Sequence, residues 1–142
     1  KVLGDQGAVL KKLGKLIGQL VQEEGVNEQM AEFINPIAIL GEQMTKFTTE
    51  IGFKGFQNPD EVGAAAVDYL RVAGHLVFGY MFARMAQVAL RQIAAGSQDP
   101  FYTAKLQTAR FYFAKLFPEI YSLMRTARAG SKVLMETDAV LA

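Results

Sequence analysis

Cysteine and tryptophan are absent from this chain, histidine occurs once in 142 residues, and proline occurs four times. Without cysteine there are no disulfides, thiolate metal sites or cysteine nucleophiles. One histidine cannot supply a histidine-rich metal site or a relay between two imidazoles. No run of apolar residues approaches the roughly 20 that a membrane-spanning helix needs, and the first residues carry no signal-peptide pattern. An excess of one charge is missing too. Fifteen basic and fourteen acidic side chains are interspersed to a formal net charge of +1, which argues against a nucleic-acid surface. Glycine-rich phosphate loops after strands are excluded because nothing reads as a strand. The expected class is an intracellular, cytoplasmic helical protein. The opening Lys1-Val2-Leu3 suggests a fragment of a longer polypeptide, folded as one helical domain over residues 1–142.

The strongest pattern runs from Asn58 to Gly96. Asn58 is placed to cap a helix, Pro59 fits its first position, and Asp60 and Glu61 complement the positive end of its dipole; Gly96 is the stop. Such a helix is about 55 Å long. Its polar residues change sides. Asp68, Arg71 and His75 share one face, and Arg84, Gln87 and Arg91 share another, roughly opposite at about 100° per residue. Between Arg71 and Arg84 the helix is apolar nearly all round, so it must be enclosed by the bundle or covered by a partner.

The other helices follow from periodicity. A first helix is expected from about Val2 to Glu24, with Leu3, Leu10, Leu13, Leu16, Ile17, Leu20 and Val21 as its stripe. Gly7, Gly14, Gly18 and Gly25 flank that stripe, and close approach of a neighbouring backbone would offset what the three interior glycines cost, about 1 kcal/mol each. A second helix, about Glu28 to Ile51, buries Met30, Phe33, Ile34, Ile37, Leu40, Met44, Phe47 and Ile51 and kinks at Pro36; Gly52 and Gly55 mark the loop after it. Asp99-Pro100 starts a fourth helix after a short turn. Its expected buried set is Tyr102, Leu106, Ala109, Phe113, Leu116, Phe117, Ile120, Leu123, Met124 and Ala127, with a bend at Pro118, an end at Ala129-Gly130 and one short helical turn in the tail. The short loops imply an all-α, antiparallel up-down-up-down four-helix bundle with a long third helix.

No catalytic constellation emerges. His75 could be an axial haem ligand with Met81 or Met85. The simpler reading bonds it to Asp68 or to a neighbouring helix, and it is favoured because Met81 lies on the wrong side and no covalent haem motif is present. The pairs Glu23-Glu24 and Asp60-Glu61 are explained by helix ends and solvent. The tyrosines read as core aromatics with a polar tip. Phe78 and Phe82, on the all-apolar stretch, and Phe111, on the polar side of the fourth helix, are the candidate interface residues.

The stretches Asp68-Tyr69-Leu70-Arg71-Val72-Ala73-Gly74-His75-Leu76-Val77-Phe78-Gly79-Tyr80-Met81-Phe82-Ala83-Arg84-Met85-Ala86 and Asp99-Pro100-Phe101-Tyr102-Thr103-Ala104-Lys105-Leu106-Gln107-Thr108-Ala109-Arg110-Phe111-Tyr112-Phe113 resemble the C-terminal domain of acyl-CoA dehydrogenases. The subgroup they resemble is the long one that includes enzymes similar to the bacterial methylmercaptopropionyl-CoA dehydrogenases. The opening Lys1-Val2-Leu3-Gly4-Asp5 is similar to the segment after the family's catalytic glutamate. The resemblance implies a parent flavoenzyme that binds FAD, abstracts the α-proton of an acyl-CoA with a glutamate and passes the β-hydride to the flavin, then to an electron acceptor. It places no catalytic, cofactor or metal residue in this chain. What remains for these residues is a structural part: packing on the rest of the dehydrogenase, shaping the acyl-CoA or flavin surroundings, or associating subunits of a homo-oligomer. A free-standing helical interaction module or a small-ligand-binding bundle is the alternative.

Overall fold

The computed structural model describes residues 7–136. The expected start at Val2, the stripe position Leu3 and the opening segment to Asp5 lie outside those residues, as do residues 137–142 of the tail. The elements are α1 (Ala8–Glu24), α2 (Glu28–Gln57), α3 (Asp60–Ala94), α4 (Pro100–Phe111), a π-helical turn (Tyr112–Leu116), α5 (Glu119–Ala127) and the short α6 (Lys132–Met135). There is no strand among the described residues. With α4, the π-turn and α5 forming one bent rod, the chain is the expected all-α bundle built around a long third helix.

Local chemistry sets the ends. Asn58 is extended, and its side-chain oxygen accepts from the Asp60 N–H at 3.1 Å, so it caps α3 with Pro59 already in helical conformation. At the far end Gly96 has φ of 89°; its N–H donates to Ile93 O and that of Ser97 to Gln92 O, the paired bonds of a Schellman stop. Asp99 caps α4 by accepting from the Phe101 N–H at 2.9 Å.

All eight apolar residues assigned to the second helix are buried on α2. Opposite them α3 presents mostly small residues, Ala65, Gly79, Ala83, Ala86 and Ala89, so large side chains on one helix fill the shallow face of the other. Gly79 is a point of close approach on this face. A Cβ there would lie 2.7 Å from Ile37 Cγ2 and 3.1 Å from Phe117 Cε2.

Four expectations need correction. First, α2 continues through Gly52 and Gly55 to Gln57, and Gly55 serves close approach: a Cβ on it would run into Val62 in the first turns of α3. Second, Gly14 and Gly18 are not close-packed, since a Cβ on either meets nothing within 4 Å. With Gly41 they line an open cleft of about 370 Å³ between α1 and α2. Third, Leu16 is 43 % exposed and stands off the core. Fourth, Leu116 is 48 % exposed whereas Tyr112 is buried. The cause is the π-turn. Pro118 has no N–H and its ring crowds the carbonyl four residues back, and the helix absorbs this with a wider turn in which Phe117 N donates to Tyr112 O at 2.9 Å. The extra residue in that turn rotates Tyr112 inward and Leu116 outward. Through Pro36, by contrast, α2 runs on without restarting.

Candidate interaction surface

The two polar stripes of α3 are both inside the bundle's cross-links. On the first, Asp68 Oδ2 accepts from Thr126 Oγ1 at 2.7 Å, Arg71 pairs with Glu119, and His75 Nε2 meets Glu119 Oε2 at 2.9 Å. His75 Nδ1 lies 3.0 Å from the Tyr112 hydroxyl, which is also 3.1 Å from the His75 carbonyl oxygen. The imidazole thus engages both nitrogens with the rod packed alongside, which leaves neither free to ligate iron. His75 hydrogen bonding, then the Arg71 charge, hold the Glu119 carboxyl below its ordinary value, and burial pushes the Tyr112 phenol up to about 12.

The second stripe ties α3 to α1. Arg84 Nη1 donates to Glu23 at 3.0 Å, Gln87 Nε2 to Glu24 at 2.6 Å and to Glu23 at 3.2 Å, and Arg91 Nη2 to Glu24 at 2.6 Å. Glu24 also accepts from Asn27 Nδ2 at 2.9 Å and is buried, as is Gln87. A carboxylate in the last turn of a helix opposes the dipole, and these donors compensate for it. The reading of Glu24 as a solvated helix-end group is therefore corrected, while Glu23 is exposed as expected and also pairs with Arg84. Glu61 likewise does more than complement a dipole: it accepts from the Ser131 N–H at 3.0 Å and from its hydroxyl, tying the tail to the start of α3.

The third side of α3 has no such partner. Val67, Leu70, Val77, Phe78, Met81 and Val88 are all exposed, from 44 % at Val77 to 72 % at Leu70. With Gly74 and the half-buried Met85 they fall in one sector about 100° wide, on the side away from the residues that α3 buries between Ala65 and Gln87. The bundle does not enclose the middle of this helix. Its back is apolar and open over about 32 Å. At one end the stripe meets a mainly apolar cleft of about 340 Å³ lined by Met85, Val88, Ala89, Phe101, Tyr102 and Lys105, whose ammonium lies 5.1 Å from the centre of the Phe101 ring.

Of the three aromatic candidates, Phe78 belongs to this open face at 58 % exposure. Phe82 does not: it is half-buried and stacked on Tyr112 with ring centroids 4.3 Å apart. Phe111 is also 58 % exposed, but on α4, and has no ring partner among the described residues. The aliphatic part of the face escaped the sequence reading. Its signal was present as valine, leucine, glycine and methionine at three-and-four spacing with no charge among them, in the gap between the two polar stripes.

Catalytic and cofactor chemistry find little to work with. No group of three or more His, Asp or Glu among the described residues could hold a metal, and no described helix is long and apolar enough to cross a membrane. The starts of α2, α3 and α4 do not suit the pyrophosphate of a dinucleotide: Asn27 and Glu28 on α2, Asp60 and Glu61 on α3 and Asp99 on α4 place oxygens or negative charge where an anion would sit. These three helix starts do not fit the pyrophosphate of an FAD.

Fold and surface together define an all-α bundle around a long helix whose two polar stripes are spent on internal cross-links and whose free face is apolar. Residues 11–138 match the family described as acetyl-CoA dehydrogenase C-terminal like. The chain belongs to that family of acyl-CoA dehydrogenase C-terminal domains. No curated protein matches it.

Proposed function

We propose that this chain is the C-terminal helical domain of an FAD-dependent acyl-CoA dehydrogenase, expected in the cytoplasm, and that its part in the enzyme is structural. The observation that carries the reading is the open apolar back of α3, on a domain of this family in which the two polar stripes of the same helix are already paired within the chain. A contiguous exposed apolar patch larger than a few hundred Å² is rare on a protein that works alone. In the parent enzyme the proton abstraction, hydride transfer and acyl-CoA binding fall to residues outside this chain, and the domain packs on that core or joins subunits. The parent belongs to the long subgroup similar to methylmercaptopropionyl-CoA dehydrogenases, as the stretches from Asp68 and from Asp99 suggest.

The test is direct. The purified chain is expected to be colourless and inert toward acyl-CoA with an artificial electron acceptor, while the full-length enzyme is yellow and active. Flavin absorbance retained by the purified chain would overturn the reading.

A further inference from the structure

The spacing of the open face has a symmetry that the bundle itself does not use. Pair α3 with a second α3 running the opposite way, with the midpoint between Val77 and Phe78. Val67 then stands opposite Val88, Leu70 opposite Met85, Gly74 opposite Met81, and Val77 opposite Phe78. The match is one of shape as well as polarity. Gly74 has open space where a Cβ would be, so it offers a hole to the 59 %-exposed Met81 of the other copy. The cleft at Met85, Val88 and Phe101 lies as far from the midpoint on one side as Leu70 and Val67 lie on the other, and those two are the most exposed side chains of the stripe.

We infer that the back of α3 is a two-fold surface on which a second copy of this chain docks antiparallel, Gly74 receiving Met81. The inference rests on the reading of this face as an interface and names its occupant. Area favours it: the six exposed side chains present on the order of 600 Å², and Phe101 adds to this, near the roughly 800 Å² per partner that a stable dimer buries. Charge permits it. Arg71 and Arg84 border the stripe on opposite flanks, and a two-fold axis brings like flank to like flank, so they do not meet across it. Both are already paired within the chain, with Glu119 and Glu23, so an apolar partner strands no unpaired guanidinium.

The absence of native cysteine makes the register measurable. Under mild oxidation, Val67→Cys mixed with Val88→Cys should form the disulfide dimer at least about tenfold faster than either variant alone, because only the antiparallel register brings those positions within bridging distance. Val77→Cys, beside the axis, should cross-link with itself. Met81→Lys should keep the helical circular dichroism and raise the dimer dissociation constant in sedimentation at least about 30-fold. Rapid self-linking of Val67→Cys would mean parallel pairing and overturn the proposal, as would a monomer at millimolar concentration. The last result can be separated from failure of the interface reading by placing Met81→Lys in the full-length dehydrogenase. If the isolated chain is monomeric but the variant enzyme comes apart or melts earlier, the face packs on the dehydrogenase core; if both are unchanged, it is no interface at all.

Discussion

Single residues decide whether this bundle closes. Gly79 sits where α2 and the α4–α5 rod converge on α3, and alanine there gains about 1 kcal/mol of helix propensity but forces a methyl into Ile37 and Phe117, both buried and unable to yield. Gly79→Ala is expected to lower stability by about 1–2 kcal/mol in a denaturant titration; a rise would show that the crossing is looser. Phe111 is the opposite case. Phe111→Ser should change the stability of the isolated chain by no more than about 0.5 kcal/mol, whereas Phe33→Ala, fully buried, should cost about 3–5 kcal/mol. Glu24 sets an acid limb. The Asn27 amide, then Gln87 and Arg91, hold its carboxyl below the ordinary value, so its contribution is complete above the usual carboxylate range and is lost as pH falls from about 4.3 through the lower folded value. Glu24→Gln should lower stability at neutral pH by about 1–2 kcal/mol and shrink the difference between pH 7 and pH 3. An unchanged pH profile would remove Glu24 from the acid response.

At the scale of elements, what was legible was whatever local chemistry or strict periodicity dictates. The caps at Asn58 and Asp99, the stop at Gly96 and the whole buried face of α2 follow from short-range rules that tertiary packing did not override. Glycine was the least legible residue. Gly55 and Gly14 look alike in sequence, yet one allows α3 to approach and the other borders an open cleft, because a glycine's meaning lies in what is opposite it. The π-turn was hidden for a related reason: Pro118 announces a disturbance, but whether a helix kinks or widens depends on the aromatic packing of Tyr112 and Phe117 around His75. The polar stripes of α3 were visible and their partners were not, since Glu119 and Glu24 are brought to it only by the fold. Pro36 remains a test of local against tertiary cost. Since α2 passes through it without restarting, Pro36→Ala should restore a backbone bond to Glu32 and raise stability by at least about 1 kcal/mol; a loss would mean that the proline shapes the packing of Ile37 and Leu40.

For the molecule as a whole, the two polar stripes of α3 go into cross-links with α1 and with the α4–α5 rod, and the back of that helix is left apolar. The family places such a domain in a flavoenzyme, and the open face supplies a reason for its being there that needs no catalytic residue of its own. The most direct measurement is made on the full-length dehydrogenase carrying Met81→Lys: mass by sedimentation alongside turnover per bound flavin. A structural domain predicts loss of assembly or an earlier thermal transition with turnover per flavin near the wild-type value. Intact assembly with lost turnover would contradict the account and put this face in the chemistry.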